Sequence, residues 1–578
     1  MKELMLGNKA AARGLYEAGV LFASSYPGTP STEITEELAK YEDVYCEWAP
    51  NEKVAMEAAF GASLAGQRAF CAMKHVGLNV AADPLYTMSY TGVNAGLVIA
   101  VADDAGMHSS QNEQDSRHHA IAAKVPMLEP SDSAEALEYA KMAFEISEKF
   151  DTPVLLKMCT RVAHSQSVVE RGEREVICKT YEKNIPKYVM MPGNAKRRHP
   201  FVEERTEKLR EFAETSGINR VEYGSGKLGI ITSSTSYQYV KEVCGTEASI
   251  LKIGMANPLP EKLIREFASK VEELIVVEEL DPVMENHVKA LGIPVHGKDL
   301  LPVCGEFSQN MVAKALGREV PEGRTLDENL PMRPPVMCPG CPHRGLFYTL
   351  KKLGCTVLGD IGCYTLGAVA PLGSMEMTLC MGASVSAIHG FNKALGAASE
   401  NKTVCVIGDS TFMHSGMTGL VNIAYNQSKS TVIILDNSIT GMTGHQQNPT
   451  TGFNLRGDPA GKIDLEALCR AMGFNRVSVV DPYDLKTCET VIKEELQADE
   501  ASVIISRRPC ALLKYVKRKP ALKVNADKCI GCKSCMKIGC PAISMKDGKA
   551  VVDATLCVGC AVCTQLCRFD AYEGQCEG

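Results

Sequence analysis

The spacing of cysteines near the C-terminus constrains this chain more than any other feature of its sequence. Nine of its 24 cysteines lie within the last 50 of its 578 residues. The first run reads C-x2-C-x2-C followed by a Cys-Pro pair, and the second reads C-x2-C-x2-C-x3-C. Three closely spaced thiolates can hold three corners of a [4Fe–4S] cube, while the fourth cysteine of each run ligates the other cluster. The spacing therefore predicts two ligand sets, Cys529, Cys532, Cys535 and Cys567 for one cluster and Cys557, Cys560, Cys563 and Cys540 for the other.

Both runs resemble those of bacterial two-cluster ferredoxins over about 60 residues, so we expect residues 519–578 to form a small ferredoxin-like domain that carries electrons. The first run departs from that pattern because four residues, not three, precede Cys540. This leaves open whether its cluster is a full four-iron cube. A pair of structural zinc sites with four thiolates each is the alternative interpretation of the same spacing.

The composition excludes several classes of protein. The net charge is −7, with 69 acidic and 62 basic side chains, which gives no electrostatic basis for binding nucleic acid. No window approaches the roughly 18 uncharged apolar residues that a membrane span needs. The first ten residues, MKELMLGNKA, lack the apolar core of a secretory signal. We therefore expect a cytoplasmic protein with no membrane or nucleic-acid partner.

Apolar strand patterns alternate with helical patterns along most of the chain, which predicts a multi-domain α/β protein built on doubly wound, parallel sheets. Polar and Pro-rich segments separate the α/β blocks. We expect α/β domains at residues 1–180, 227–328 and 329–518, with a charged linker that carries an exposed helix at 181–226 and the ferredoxin-like domain after them.

In the third α/β block, two strands end in residues suited to a metal ion. TVCVIGDS ends in Gly408-Asp409-Ser410, and STVIILDN, which follows a helical pattern, ends in Asn437. Parallel strands of a βαβ unit bring their carboxyl ends together, and carboxylate and amide oxygens suit Mg²⁺. We expect the turn at Gly408 to let backbone amides approach a diphosphate.

This arrangement resembles the thiamine diphosphate motif G-D-G-x(24–27)-N, with Ser410 in place of the usual second glycine. The resemblance implies that Asp409 and Asn437 ligate Mg²⁺ against the diphosphate of thiamine diphosphate. A backbone carbonyl near Ile439 is expected as a further ligand.

The three α/β blocks and residues 519–578, here called the tail, together resemble the 2-oxoacid:ferredoxin oxidoreductases over nearly the whole chain. Within that family the resemblance is to the large (alpha) subunits that oxidise indolepyruvate. The resemblance implies that block 1–180 binds the pyrimidine ring of the cofactor and that block 329–518 binds its diphosphate. It implies that block 227–328 is a transketolase C-terminal-like domain.

The same resemblance assigns roles to residues of the first block. Glu52 stands nine residues before Gly61 and fourteen before Gly66, which matches the family glutamate that contacts the pyrimidine N1′, and Glu57 is a competing candidate. Residues 26–31 match the family's Y-P-x-T-P-S loop, so Thr29 is expected to contact the substrate carboxylate, with helix capping as its alternative role.

Two further matches lie in the third block. Gly382, in the segment MGAS, matches residues that pack beneath the cofactor, although ordinary core packing explains the segment equally well. Relatives carry an iron–sulfur cluster close to thiamine on a C-x2-C pair, a third cysteine nearby and a fourth far downstream. The matching order here predicts a third [4Fe–4S] cluster, with a structural zinc or unligated cysteines as alternatives, on Cys338, Cys341, Cys363 and Cys510.

The resemblance implies oxidative decarboxylation of an aryl 2-oxoacid, such as indolepyruvate or phenylpyruvate, to aryl-acetyl-CoA with electron transfer to ferredoxin. Relatives that act on pyruvate carry an arginine after the strand LVIAVADDAG, where this chain has Asp103-Asp104. The loss of that arginine would widen the pocket beside Thr29, and His108 could contact the substrate instead. If the two aspartates only cap the loop, they carry no information on the substrate.

The partners implied are coenzyme A, ferredoxin and a separate small (beta) subunit, in an αβ or (αβ)2 assembly. The same chemistry on pyruvate, a non-oxidative thiamine diphosphate decarboxylase and a pure electron-transfer module are the competing functions. The cysteine tail is superfluous for a non-oxidative decarboxylase, whereas Glu52, Asp409 and Asn437 are superfluous for an electron-transfer module.

Overall fold

The structure is a computed structural model that describes residues 1–320, 323, 330–331 and 333–574. The chain divides into two compact units, Met1–Asp327 and Glu328–Gly578. Both units contain parallel sheets with flanking helices, and the second also carries the cysteine tail. The predicted α/β class is therefore confirmed.

The first unit contains three sheets. Its strands are β1 (Lys2–Leu6), β2 (Phe22–Ser25), β3 (Tyr45–Trp48), β4 (Ala69–Lys74), β5 (Leu97–Asp103), β6 (Met127–Leu128), β7 (Val154–Cys159), β8 (Gln166–Glu170), β9 (Arg220–Glu222), β10 (Leu228–Ser233), β11 (Ser249–Ile253), β12 (Met255–Asn257) and β13 (Glu273–Val277). The largest sheet has the order β12-β6-β7-β5-β4-β2-β3, and all neighbours in it are parallel except β12 and β6. Every residue of β4, β5 and β7 is buried, as expected for parallel strands covered on both faces.

Helices of the first unit follow most of these strands. They are α1 (Gly7–Glu17), α2 (Thr32–Leu38), α3 (Glu52–Leu64), α4 (His75–Val80), α5 (Ala82–Thr91), α6 (Arg117–Ala123), α7 (Ser133–Phe150), α8 (Thr160–His164), α9 (Ile185–Tyr188), α10 (Pro192–Thr215), α11 (Ser234–Cys244), α12 (Glu261–Ala268), α13 (Val283–Ala290) and α14 (Gln309–Ala315). The side chain of Asn51 caps α3 by accepting a hydrogen bond from the Val54 backbone N–H at 2.9 Å.

A smaller sheet with the order β13-β10-β11-β9 covers most of the second predicted block, while β12 from the same block joins the first sheet. The helix expected in the charged segment 181–226 is α10, and one of its faces is buried. Its Arg205 donates to the Ser89 carbonyl and the Asp151 carbonyl at 2.8 and 3.0 Å. The expected exposed helix is therefore packed on one face. A charged segment can pack in this way because a long cationic side chain can donate hydrogen bonds to buried carbonyls. The division into separate domains stays a prediction.

The second unit is built on one parallel sheet with the order β14-β15-β16-β18-β17. Its strands are β14 (Thr356–Leu358), β15 (Thr403–Gly408), β16 (Thr431–Asp436), β17 (Arg476–Val480) and β18 (Ser502–Arg507). Its helices are α15 (His343–Leu353), α16 (Ala383–Leu395), α17 (Ala397–Glu400), α18 (Asp409–Thr411), α19 (Met417–Tyr425), α20 (Leu465–Ala471) and α21 (Leu485–Gln497). A 3-10 helix spans Cys363–Ala368, and a π-helical turn at Phe412–Gly416 joins α18 to α19.

The tail contains little regular structure. Its strands β19 (Lys523–Val524), β20 (Ile543–Lys546), β21 (Lys549–Val552) and β22 (Tyr572–Glu573) form two antiparallel pairs, β19 with β22 and β20 with β21. Each cysteine run ends in a 3-10 helix, at Ser534–Ile538 and at Val562–Leu566. Within the described part of the chain, no helix is both long and apolar enough to span a membrane.

Candidate functional site

Asp409 and Asn437 lie at the same edge of the sheet in the second unit. Asp409 directly follows β15, and Asn437 directly follows β16. The two strands are adjacent and parallel, with Gly408 opposite Leu435. The structure therefore brings the two predicted metal ligands together at the carboxyl ends of neighbouring strands.

The carboxylate of Asp409 is buried among neutral donors. It accepts hydrogen bonds from Thr450 Oγ1 at 3.1 Å and from Asn448 Nδ2 at 3.4 Å. Burial, and then the negative charge of Asp436, raise the pKa of Asp409 to about 7. A divalent cation would compensate this buried charge, so the donor set fits Mg²⁺. The sequence interpretation missed Asn448 and Thr450, whose only signal is the polar segment QQNPTT after β16.

Asn437 is held in place by its own loop and by a histidine. Its Oδ1 accepts from the Ile439 backbone N–H at 3.2 Å, and its Nδ2 lies 3.4 Å from His343 Nε2. Burial lowers the pKa of His343 to about 4, so the imidazole is neutral and can accept a hydrogen bond. Ser410 accepts a hydrogen bond from Thr440 Oγ1 at 2.9 Å. These bonds fix the polar loop around Asp409.

Two glycines near this edge are required by close packing. Gly408 is extended, with φ −71°, and it ends a strand where a tight glycine turn was expected. A Cβ at this position would lie 2.8 Å from Tyr364 Cε1. Gly382 has φ +88°, and its backbone N–H donates to Asp360 Oδ1 at 3.0 Å. The Asp360 carboxylate, which the sequence interpretation missed, thereby holds the start of α16.

The four cysteines of the predicted third cluster lie within electrostatic reach of one another. Burial and then the thiolate charges of Cys510 and Cys338 raise the pKa of Cys363 to about 11. Burial raises the pKa of Cys341 to about 12, with smaller contributions from Cys338 and Cys363. The backbone N–H of Cys510 donates to the Asn437 carbonyl at 2.9 Å. The quartet therefore lies beside the Asp409–Asn437 edge.

In the tail, one predicted ligand set lines a common small cavity, which is bordered by Cys529, Cys532, Cys535 and Cys567. Across residues 1–320, 323, 330–331 and 333–574, no three His, Cys, Asp or Glu side chains are placed to hold a single metal ion. The four thiols are thus spread around a space rather than gathered at a point.

The other ligand set is buried. Burial raises the pKa of Cys563 well above its usual range, and the thiolate charges of Cys560, Cys540 and Cys557 raise it further. Cys540 belongs to the first run and the other three to the second, so the structure brings these four predicted ligands near one another, with Cys535 of the other set also close to Cys563. This set fits an iron–sulfur cluster by its donor chemistry.

Arg344 links the upstream cysteines to the tail. Its guanidinium donates to the backbone carbonyls of Met337 and Gly539, and to that of Ile538 at 3.2 Å. Burial lowers the pKa of Arg344, and the nearby thiolate charges of Cys540 and Cys341 oppose that shift. A buried cation therefore lies between the loop of the C-x2-C pair and the loop before Cys540.

In the first unit, the structure distinguishes the two candidate glutamates. Glu52 begins α3 and is buried, whereas Glu57 is exposed and lies 3.8 Å from the Lys53 ammonium. A Cβ added at Gly77 would lie 2.7 Å from Glu52 Cγ and Oε1, so α4 packs directly against this carboxylate. Burial favours Glu52 as the residue that contacts a cofactor.

The loop that carries Thr29 follows β2 and lies against the end of β4. A Cβ at Gly28 would lie 3.1 Å from Lys74 Cβ. The Ser31 hydroxyl donates to the Gly28 carbonyl at 2.8 Å, so it is occupied within the loop rather than by α2. Thr29 is partly buried at the tip of this loop.

The end of β4 carries two residues that the sequence interpretation missed, Lys74 and His75. Lys74 is 8% exposed and His75 is 1% exposed. Both ring nitrogens of His75 are buried without a hydrogen-bond partner among the described residues. The signal in the sequence was a Lys-His pair at the end of an apolar run.

The two aspartates after β5 cap their loop. Asp103 accepts from the Ser116 backbone N–H at 3.0 Å, and Asp104 accepts from the Ser109 backbone N–H at 2.8 Å. Asp104 also accepts from Thr160 Oγ1 at 2.8 Å. These carboxylates are occupied inside the chain, so they carry no information on the substrate.

Two basic residues that follow this loop, His108 and Arg117, also contact acidic side chains. Arg117 is buried and forms ion pairs with Asp115 and Glu278 at 2.6 and 2.5 Å. The His108 side chain is 51% exposed, and its Nε2 lies 3.4 Å from Glu306 Oε2. The placement of His108 therefore gives no support to its expected role in substrate binding.

Comparison with protein families finds three matches along the chain. Residues 13–217 match the family described as pyruvate flavodoxin/ferredoxin oxidoreductase, thiamine diphosphate-binding. Residues 360–506 match the C-terminal TPP binding domain of thiamine pyrophosphate enzymes, and residues 521–575 match the 4Fe-4S dicluster domain. The predictions of thiamine diphosphate-binding domains and of a ferredoxin-like 4Fe-4S domain in the tail are confirmed.

Similar curated proteins cover almost the whole chain. The indolepyruvate oxidoreductase subunit IorA of Pyrococcus horikoshii is 43% identical, over 100% of this chain and 97% of its own length. The subunits of the same name from Archaeoglobus fulgidus and Methanothermobacter marburgensis are 42% and 41% identical, each over 98% of this chain and over 96% and 97% of their own lengths. The protein is thus an oxidoreductase of the 2-oxoacid:ferredoxin type. Its chain belongs to the family of indolepyruvate oxidoreductase subunits IorA.

Proposed function

We propose that this protein oxidatively decarboxylates aryl 2-oxoacids, such as indolepyruvate and phenylpyruvate. The products are the aryl-acetyl-CoA, CO2 and a pair of electrons that pass to ferredoxin. The observation that carries the proposal is the hydrogen bond from the Cys510 backbone to the Asn437 carbonyl at 2.9 Å. It joins a predicted cofactor-binding edge to a cysteine quartet, so decarboxylation and electron removal would occur side by side.

Each residue of the proposed site has a defined task. Asp409 and Asn437 would hold Mg²⁺ and the diphosphate of thiamine diphosphate, with a carbonyl near Ile439 as a further ligand. In the first unit, Glu52 would contact the pyrimidine ring. When bound, thiamine diphosphate supplies the electron sink for the loss of CO2. Because the low pKa of His343 keeps its imidazole neutral, it can accept a hydrogen bond from the Asn437 amide nitrogen, which would leave the amide oxygen for a metal.

The cysteines provide a route for electrons. We propose a cluster on Cys338, Cys341, Cys363 and Cys510, in addition to the two clusters of the tail. The buried Arg344 spans the space between the upstream loop and the loop before Cys540. This contact supports a direct path from the upstream quartet to the buried cluster of the tail, and from there to the cluster beside the exposed Cys532.

The aryl substrate and the partners are taken from the relatives. The curated relatives are named indolepyruvate oxidoreductase subunits, which supports an aryl 2-oxoacid and a second, small subunit as partner. Coenzyme A and ferredoxin complete the reaction. Pyruvate or another 2-oxoacid is the alternative substrate, and the assay below separates the two.

The substrate test compares kcat/KM for indolepyruvate, phenylpyruvate, pyruvate and 2-oxoglutarate in the presence of the partner subunit. We expect kcat/KM to be higher for the two aryl substrates than for pyruvate and 2-oxoglutarate. A preference for pyruvate of tenfold, or about 1.4 kcal/mol in transition-state binding, would refute the aryl assignment.

The third cluster is tested by metal analysis of anaerobically purified protein. We expect about twelve irons per chain, and about eight after Cys510→Ser. The matched control is Cys355→Ser, a partly buried cysteine of the same unit that lies outside the quartet. An unchanged iron content in Cys510→Ser would refute the third cluster. Zinc in place of iron would refute the role of the cysteines in electron transfer.

A further inference from the structure

We propose that Lys74 and His75 form the binding site for the carboxylate group of the 2-oxoacid substrate. This inference rests on the proposed function and adds Lys74 and His75 to the contact expected from Thr29, in place of His108. The observation behind it is His75, which is 1% exposed and has no hydrogen-bond partner for either ring nitrogen among the described residues. A buried polar group without a partner has lost its hydration without regaining a hydrogen bond, and a bound ligand would supply that bond.

The pair lies where a substrate of this site would have to be. β4 is flanked by β2 and β5, so its carboxyl end lies between the loop of Thr29 and the loop of Asp104. Gly28 approaches Lys74 from the first of these loops, because a Cβ added at Gly28 would lie 3.1 Å from Lys74 Cβ. Two residues after the pair, a Cβ added at Gly77 would lie 2.7 Å from Glu52 Oε1, so α4 packs against that carboxylate. Lys74 and His75 therefore lie between the predicted substrate loop and the predicted cofactor contact.

Lys74 supplies the charge for such a site. Its ammonium group donates to the Ser109 carbonyl. Burial lowers the pKa of Lys74, and the charge of Asp104 opposes that shift. Asp104 already accepts hydrogen bonds from Ser109, Ser110 and Thr160. An ammonium group has three donors, so Lys74 retains donors for an anion.

His75 supplies a directed hydrogen bond next to that charge. It is the first residue of α4, so its side chain leaves the backbone at the point where β4 ends. One ring N–H can donate to a carboxylate oxygen while the Lys74 ammonium binds the other. The pair would then perform the function that an arginine performs for carboxylates elsewhere, with one charge and two separate donors.

The other candidates fit less well. His108 is 51% exposed and lies beside Glu306, whose negative charge would repel a carboxylate. Arg117 already faces Asp115 and Glu278. Lys74 and His75 are buried and lie against the Thr29 loop, which makes them the best-placed donors for the substrate.

The test uses the holoenzyme with its partner subunit and the variants His75→Gln and Lys74→Met. We expect KM for phenylpyruvate and for pyruvate to rise by about tenfold to a hundredfold in each variant, with thiamine diphosphate and iron contents unchanged. Lys74→Arg should recover part of the loss because it keeps the charge. Lys53→Met is the matched control, since Lys53 is exposed on α3 of the same unit, and its KM should stay at the wild-type value.

A binding measurement separates carboxylate recognition from general damage to the site. Calorimetry would compare phenylpyruvate with phenylacetone, which has a methyl group in place of the carboxylate. Wild-type enzyme should prefer phenylpyruvate, and both variants should lose most of that preference while binding phenylacetone as before. An equal loss for both ligands, an unchanged KM, or a larger effect of His108→Gln than of His75→Gln would overturn the assignment.

Two precautions keep the outcome interpretable. If His75→Gln fails to fold, as judged by thermal unfolding, His75→Asn provides the same test with a smaller amide. If the enzyme prefers pyruvate to aryl substrates, the proposed aryl specificity is wrong. The effect of the two variants on KM can then still be measured with pyruvate. If KM for the true 2-oxoacid substrate is unchanged in the His75 and Lys74 variants, the Lys74–His75 site is refuted and the proposed function is not affected.

Discussion

The second unit contains two proposed cofactor sites that are built in opposite ways. Asp409 and Asn437 stand on the ends of strands whose residues, such as Ile407 and Ile434, are fully buried in an aliphatic core. The tail has two short strand pairs and two 3-10 helices, and its core includes Cys529, Cys535 and Cys563 themselves. In one site the scaffold holds the ligands, whereas in the other the ligands are part of the scaffold.

This difference predicts how each site depends on what it binds. A parallel sheet with a buried aliphatic core can fold without its cofactor, because apolar burial stabilises it. A small domain with few strands and a cysteine-lined core has little apolar surface to bury, so metal binding supplies much of its folding free energy. The sheet should therefore be formed before its cofactor binds, and the tail should require its clusters.

Removal of iron is expected to have the largest effect and tests the comparison directly. After anaerobic chelation, amide hydrogen exchange in residues 521–574 should accelerate by about a hundredfold or more, while β15 and β16 keep their protection. Hydrogen exchange with mass spectrometry measures both regions in one sample. Protection that persists in the iron-free tail would show that the tail does not depend on its clusters, and the contrast between the two sites would be lost.

Asp409→Asn is expected to have the next largest effect, and it should alter binding rather than folding. The variant keeps the shape of the side chain and removes the charge that holds Mg²⁺, so affinity for thiamine diphosphate with Mg²⁺ should fall by at least about a hundredfold. The unfolding free energy of the cofactor-free protein should not fall. Titration of the cofactor and chemical unfolding measure the two quantities, and a variant that retains thiamine diphosphate would refute the assignment.

The pH dependence of the same variant follows from the raised pKa. Asp409 has a pKa of about 7 in the folded chain, above the value near 4 of an unfolded aspartate, so the folded state binds its proton more tightly. The carboxylate therefore destabilises the cofactor-free protein increasingly as pH rises from about 4 to 7, and fully above 7. Asp409→Asn should be more stable than the wild type at pH 8, and the difference should shrink toward pH 5.

The sequence was sufficient for the residues whose position follows from local pattern. Asp409 and Asn437 each end an apolar strand, and the geometry of βαβ units brings such ends together. The cysteine runs carry their own spacing, so the crossed ligand sets could be written down before the fold was known. For these residues, a few neighbouring residues in the sequence are enough to predict both the chemistry of the side chain and its place in the fold.

The rest depends on packing between distant segments. Asn448 and Thr450 reach Asp409 from a loop about forty residues away, and no periodicity marks them. His75 stands out only once its burial and lack of partners are known. Ser116 donates to Asp103 across its loop, so Asp103 has a structural role there that the sequence alone did not distinguish from a role in substrate choice. Polar residues in loops acquire their roles from tertiary contacts, which a single sequence does not display.

The smallest expected effect concerns the outer surface of the tail, where the comparison can be sharpened. Cys532 is exposed, and a hydrogen bond with Ser534 holds the pKa of its thiol below the usual value. The exposed Lys528, Lys533 and Lys537 lie in the same cysteine run, and the charge of Lys537 also lowers the pKa of Cys532. An acidic electron carrier such as ferredoxin would meet positive charge at this cluster, which accelerates encounter more than it strengthens binding.

Lys533→Glu should therefore slow the reduction of ferredoxin several-fold at low salt, and added salt should diminish the difference. Reduction of an uncharged dye by the same enzyme should be unaffected, because the charge of the surface does not alter the chemistry at Asp409. Lys393→Glu, at an exposed position on α16 outside the tail, is the matched control. If the two variants slow ferredoxin reduction equally, the carrier responds to net charge alone. If neither does, it docks elsewhere, and the exposure of Cys532 has no part in electron exit from the tail.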